Sequence, residues 1–435
     1  MIKKNLFQVI SFFLFGAILF ILQKKFNKYL DEGDIAKILL LSILAINFCL
    51  GSILKSFSKF SLIIFGYFFL ILYTVNALIV FYDLRNTNQF KLEKVLKKNG
   101  KTLDKRNLLE VVKYERSLGE NIYPYVVPRE FLKKDRDQIH LSPLVNTIYV
   151  SCNEFGEWKK IKTDKLGFNN ENFMNSFDIL LMGDSFAEGS CVSQSDEPSS
   201  LFKKNYNLKT YNIGVSGNGP LISLALAHEI KLLTEFDFIV WLIYDNDFYD
   251  LNVEKKSNYL TKYLNKNFTS NNYFLNKKNT DKHQKKYIEE NFNSFDIGFS
   301  LKESLLELKP LIFRINKLIN QKNPEDIFVY DKNLFEKIFN KMSYLYNDKE
   351  IFIVYLPETS CFTDRSSICS QRFKDLRSSS KKITFLNFFE YIKDNFKDYK
   401  EMYALRQDRA HFSPLGYFEL TKFISSKVQM KKDNL

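Results

Sequence analysis

Five residues with the side chains or backbone freedom needed to cleave an ester stand where apolar runs give way to turns. Ser185 lies in FDILLMGDSFAEGSCV, Phe177 to Val192, where the apolar run Ile179–Met182 is broken by Gly183-Asp184-Ser185 and Phe186 can open a helix. A serine in that position meets the positive end of a helix and free backbone donors. Its hydroxyl is a weak nucleophile and needs a base within hydrogen-bond reach. His411 is the candidate base: it stands in DRAHFSPLGY, three residues after Asp408, which could hold its ring in one tautomer. Gly217 lies in YNIGVSGNGP, Tyr211 to Pro220, where three glycines in six residues let bare backbone approach a neighbour. Asn246 lies in IYDNDFYDL, where the apolar run FIVWLIY ends in Asp245-Asn246-Asp247.

Each turn alone is ordinary, since Gly, Asp and Ser are common turn residues. The other histidines, His140, His228 and His283, have no comparable surroundings. Cys191, six residues after Ser185, has no acid–base partner near it in the sequence and reads as a packed helix residue.

Taken in order, the four blocks resemble the SGNH (GDSL-type) hydrolase family over about residues 175 to 428. Gly183-Asp184-Ser185-Phe186 is similar to the nucleophile block, Gly217 to the glycine block, Asn246-Asp247 to the asparagine block and Asp408-x-x-His411 to the last. Tyr244 stands where the third block usually has glycine. The resemblance implies Ser185 as nucleophile and an Asp408–His411 pair behind it. It also implies an oxyanion hole made by the N–H groups of Ser185 and Gly217 and the Asn246 amide. It implies neither metal nor cofactor, and four scattered histidines form no ligand pattern. Membrane-anchored relatives point to hydrolysis of O-acyl esters on a cell-envelope saccharide or lipid. The alternatives are an O-acyltransferase fed by a membrane acyl-donor partner and a non-catalytic carbohydrate-binding protein on the same scaffold.

The elements that would position these residues alternate. Strands are expected at Ile179–Met182, Leu208–Asn212, Phe238–Tyr244, Ile351–Leu356 and Ile383–Leu386, with helices between them, including Leu221–Thr234 and one around Lys422. Buried apolar strands alternating with helices argue for a parallel sheet covered on both faces. With the resemblance, this becomes an α/β fold with a flavodoxin-like five-stranded parallel sheet spanning 175–430. Residues 252–345, rich in Lys and Asn, read as a helical insertion, kinked at Pro310 and flexible around Asn271 to Lys286. Residues 86–174 read as a charged helical connector broken at Asn99-Gly100, then a cap with short strands such as Thr147–Val150.

Residues 1–85 differ in kind. Leu6–Leu22, Ile35–Leu54 and Phe60–Tyr82 are apolar stretches read as three transmembrane helices. The basic loop Lys55–Lys59 favours the cytoplasmic side, which puts the rest of the chain outside, in a periplasm. Cys361 and Cys369 could then close a loop in an oxidising compartment. The net charge of +13 comes from lysines scattered along the chain, and no nucleic-acid motif accompanies it.

Overall fold

The computed structural model describes residues 67–68, 71–80, 88–134, 140–270, 272–295, 308, 311–312, 314–315, 330–378, 383–408 and 410–433. The chain divides into two units, Met1–Lys91 with Gly298–Pro324, and Leu92–Ile297 with Glu325–Leu435. In the first unit, residues 71–80 are helical and leave Ile71 and Leu78 exposed. The first two expected membrane stretches, and Pro310, lie outside the described residues. Among those described, no helix is long and apolar enough to cross a membrane.

The second unit is built on strands β4 (Ile179–Met182), β5 (Thr210–Asn212), β6 (Phe238–Tyr244), β7 (Glu350–Leu356) and β8 (Thr384–Asn387). All are parallel, in the order β5-β4-β6-β7-β8. Side chains alternate between faces along a strand, so a sheet covered twice needs apolar residues at every position. Strand β6 shows this directly. Ile239, Trp241 and Ile243 join one buried cluster, and Phe238, Val240, Leu242 and Tyr244 the other. The first cluster is covered by helices at Pro220–Ile230 and Lys332–Leu345, the second by Pro198–Tyr206, Phe388–Asn395 and Pro414–Lys432. Each such side chain taken fully out of water contributes about 1.5–3 kcal/mol.

Strand order reverses between β4 and β6: the chain leaves β4 outward to β5 and returns to β6 on the other side. Such a switch point opens a crevice at the carboxyl ends of the two strands. Ser185 follows β4 and Asn246 follows β6, so topology alone brings them to one crevice.

Ahead of this sheet, β1 (Ile122–Pro124), β2 (Ile148–Val150) and β3 (Lys160–Lys162) form a small mixed sheet in the order β1-β2-β3. The connector has helices at Asn88–Lys98 and Leu108–Ser117, and Gly100 between them has φ +68°. Between β6 and β7, the described residues include helices at Asp247–Glu254, Asn258–Thr261, Lys277–Glu290 and Lys332–Leu345. The stretch expected to be flexible, Asn271 to Lys286, instead carries most of the helix Lys277–Glu290. Lys277 is buried there, donating to Asp281 at 2.6 Å and to the Pro143 carbonyl at 2.7 Å. A polar sequence hid a helix whose buried face is mostly polar, Lys277, Asp281 and Gln284, with Ile288 the apolar member.

Candidate active site

Strand β4 ends in a turn that its residue types dictate. Gly183 has φ +142°, and a Cβ there would meet the Leu242 carbonyl oxygen at 2.6 Å, so only glycine fits. Asp184 caps the short helix Ser185–Glu188 by accepting from the Phe186 N–H at 2.9 Å. The helix is held from outside: Asn212 Nδ2 donates to the Ala187 carbonyl at 2.7 Å, and Asn169 Nδ2 to that of Glu188 at 2.9 Å. Glu188 is buried and accepts from the Tyr149 hydroxyl at 2.6 Å and the Ser190 hydroxyl at 2.8 Å. Ser185 therefore sits on a mount fixed by at least four side chains.

His411 Nε2 lies 2.9 Å from Ser185 Oγ. On the other edge of the ring, Nδ1 lies 2.9 Å from Glu154 Oε1, and the His411 backbone N–H donates to Glu154 Oε2 at 2.9 Å. An ionised carboxylate only accepts, so the ring proton belongs on Nδ1 and leaves Nε2 free to accept from the serine. Burial pulls the pKa of His411 down. The hydrogen bond and charge of Glu154, joined by the charges of Asp184 and Glu188, outweigh that and hold it above the ordinary imidazole value.

The carboxylate behind the ring is thus Glu154, in place of the expected Asp408. Asp408 is 68% exposed and faces Lys400 at 3.5 Å. Asp-x-x-His places both residues on one side only in a helix, and here the helix begins after His411, at Pro414 under the Ser413 cap. The preceding segment is pinned as non-helical chain by Ala404 N–H on the His411 carbonyl and a Tyr403–Phe412 bridge.

Gly217, at φ +75°, lies in the loop after β5, and that loop lies on the serine turn through Val215 N–H on the Gly183 carbonyl at 3.2 Å. Among the described residues, the N–H groups of Ser185 and Gly217 have no acceptor. Asn246 is engaged otherwise than expected. Its Nδ2 donates to Asp250 Oδ2 at 3.3 Å, and its Oδ1 is buried without a partner among the described residues. Tyr244, at the position usually held by glycine, is buried and stacks on Phe186 at 4.1 Å, which in turn packs against His411.

Cys191 has partners that its sequence surroundings did not reveal. It forms a disulfide with Cys152, and its Sγ lies 3.3 Å from His411 Nδ1. Cys361 and Cys369 are also joined, as their spacing allowed. Two groups of described residues bring possible metal ligands together: Cys152, Glu154, Cys191 and His411, and Asp245, Cys361 and Cys369. In both, the sulfurs are bonded to each other, and a disulfide sulfur is no thiolate ligand. Glu154 escaped the sequence reading because nothing periodic surrounds it. The available signal was elimination among five cysteines: with Cys361 and Cys369 paired and Cys49 in an apolar stretch, Cys152 and Cys191 are left, and Cys152 brings Glu154 with it two residues on.

No family model matches this sequence, and neither does any curated protein. Among solved structures, the chain is similar to a candidate platelet activating factor from Streptococcus pneumonia, at 15% identity and a TM-score of 0.29, covering 58% of this chain and 84% of that one. It is also similar to a candidate lipolytic protein of the G-D-S-L family from Desulfitobacterium hafniense DCB-2, at 11% identity and a TM-score of 0.29, covering 59% and 99%. What bears on the chemistry of this chain is its own geometry.

Proposed function

We propose that this protein is a serine esterase that removes O-acyl groups from a cell-envelope saccharide or lipid, anchored to the membrane by its amino-terminal stretch. One observation carries the chemistry: an unbroken line of hydrogen bonds from Ser185 through His411 to Glu154, each 2.9 Å long. Ser185 Oγ attacks the acyl carbon as His411 Nε2 takes its proton, and Glu154 steadies the imidazolium so formed. The developing oxyanion is received by the N–H groups of Ser185 and Gly217, and losing one such donor typically costs ~3 kcal/mol. His411 then returns the proton to the departing alcohol, and water repeats the sequence to free the acid. The apolar stretches before residue 85 and the exposed Ile71 and Leu78 support the membrane anchor. Two disulfides support an oxidising, extracytoplasmic setting.

One observation favours a second reading, a binding protein on a hydrolase scaffold: the Asn246 amide donates to Asp250. The intact proton relay weighs more. The test is turnover of a short-chain aryl ester, with covalent labelling by a fluorophosphonate. Wild type should do both, and Ser185→Ala neither, with its fold intact. A wild type inert in both assays would leave the binding reading standing.

A further inference from the structure

Glu154 does not belong to the sheet that carries Ser185. It stands on the hairpin between β2 and β3, closed at its base by Ser151 N–H on the Lys159 carbonyl and Lys159 N–H on the Cys152 carbonyl. That hairpin is tied to the serine side by Lys159, which donates to Glu197 at 2.6 Å and to the Val192 carbonyl, and by one covalent link, Cys152–Cys191. The link starts two residues from Glu154 and ends six residues from Ser185. Its far end carries a mark of constraint: Cys191 has φ +71°, a left-handed conformation costly for a residue with a side chain.

We propose that the Cys152–Cys191 bridge is the positioning element of the relay acid, so that ester turnover depends on this one pair being oxidised. This rests on the esterase reading above. With the bridge in place, the hairpin tip is held where Glu154 meets both His411 Nδ1 and the His411 backbone N–H. Reduction by a dithiol breaks the S–S bond and adds two electrons and two protons, giving two thiols, while the dithiol closes to its own disulfide. Cys191 is then free to leave its left-handed conformation, and the hairpin keeps the Lys159 contacts, the packing of Phe155 on the second cluster and the hydrogen bonds of Asn153, Gly156 and Trp158 to the Asp104–Arg106 segment. Glu154 spends less time on the ring, and His411 loses the partner that fixes its tautomer. The groups facing His411 are Glu154 from the hairpin, Cys191 with its Sγ 3.3 Å from Nδ1, Asp184 from the end of β4 and Glu188 from the short helix. Glu154 and Cys191 move with the bridge, and the Cys191→Ser variant removes the thiol that reduction would leave beside the ring.

The test compares oxidised wild type, Cys152→Ser/Cys191→Ser and, as control, Cys361→Ser/Cys369→Ser, in the full chain. For the first double variant, kcat on an aryl ester should fall tenfold or more with KM nearly unchanged. The acid limb of its pH–rate profile should move to lower pH. The control should keep the wild-type limb. If the first variant fails to fold, the control protein treated with a dithiol takes its place, because the Cys152–Cys191 bridge is then the only disulfide left among the described residues. The His411 ring titration followed by NMR reads the same coupling without turnover: the ring should lose part of its raised pKa when the bridge is absent. An oxidised wild type without turnover or labelling would sink the esterase reading and leave the NMR titration to decide. Unchanged kcat, acid limb and ring titration without the bridge would overturn the proposal.

Discussion

At the scale of single residues, His411 faces Glu154 and not Asp408, the one acid the sequence offered. Glu154→Gln should lower kcat by up to about 10⁴-fold, as an acid-to-amide change behind a catalytic histidine can. Asp408→Asn should leave turnover within about twofold of wild type, as surface changes generally do. Equal losses in the two variants would return Asp408 to the site. Because Glu154 holds His411 above its ordinary pKa, and the base must be neutral to act, wild-type turnover should fall on acidification with a limb above about 6.5. Ser185 and His411 were legible because each sits in a turn whose neighbours are dictated locally: a Gly-Asp break after an apolar run, and a Ser-Pro helix start. Glu154 was not, since its place depends on how a distant hairpin docks.

Among the elements, the five strands were readable to within two residues at either end, because burial on both faces demands unbroken apolar runs. The short helix bearing Ser185 was less so, being held by side chains from elsewhere rather than by its own propensity. Its tightest neighbour is Gly214, where an added Cβ would meet Ala187 Cβ and the Glu188 nitrogen at 2.6 Å each. Gly214→Ala should therefore destabilise the fold by about 1–3 kcal/mol, the range for overpacking. It should also lower kcat, because the helix it pushes carries Ser185. Chemical denaturation and aryl-ester turnover measure the two effects, and a variant as stable and active as wild type would show that the contact yields freely. The helix Lys277–Glu290 was illegible for the opposite reason: its anchors are a lysine and an aspartate, which in a sequence look like solvent.

For the whole molecule, stability and activity should respond to pH in opposite directions. Burial raises the pKa of Asp250 to about 6, Glu197 to about 7 and Glu254 to about 8. Between the unfolded value near 4 and those values, the native state holds protons that the unfolded chain releases, so stability is fullest in acid and declines as pH rises toward 8. His411, also raised, pulls the same way, whereas burial lowers His140 to about 3 and lowers His228, which pulls the other way below the unfolded value near 6.5. Thermal unfolding from pH 6.5 to 8 should therefore show Tm falling while turnover climbs; a Tm that rises over that range would mean these carboxyls are ionised when folded. For the anchor, alkaline phosphatase fused after Asp83 should be active if the catalytic unit lies outside the cytoplasm, and an inactive fusion would reverse the orientation. The relay also has a history in time. Glu154 and His411 are 257 residues apart in the chain, with Ser185 between them. During synthesis from the amino end, the acid and the nucleophile emerge long before the base, so a growing chain that displays its serine turn is chemically silent. On the proposed reading, hydrolysis begins only when the segment around His411 has arrived and folded back.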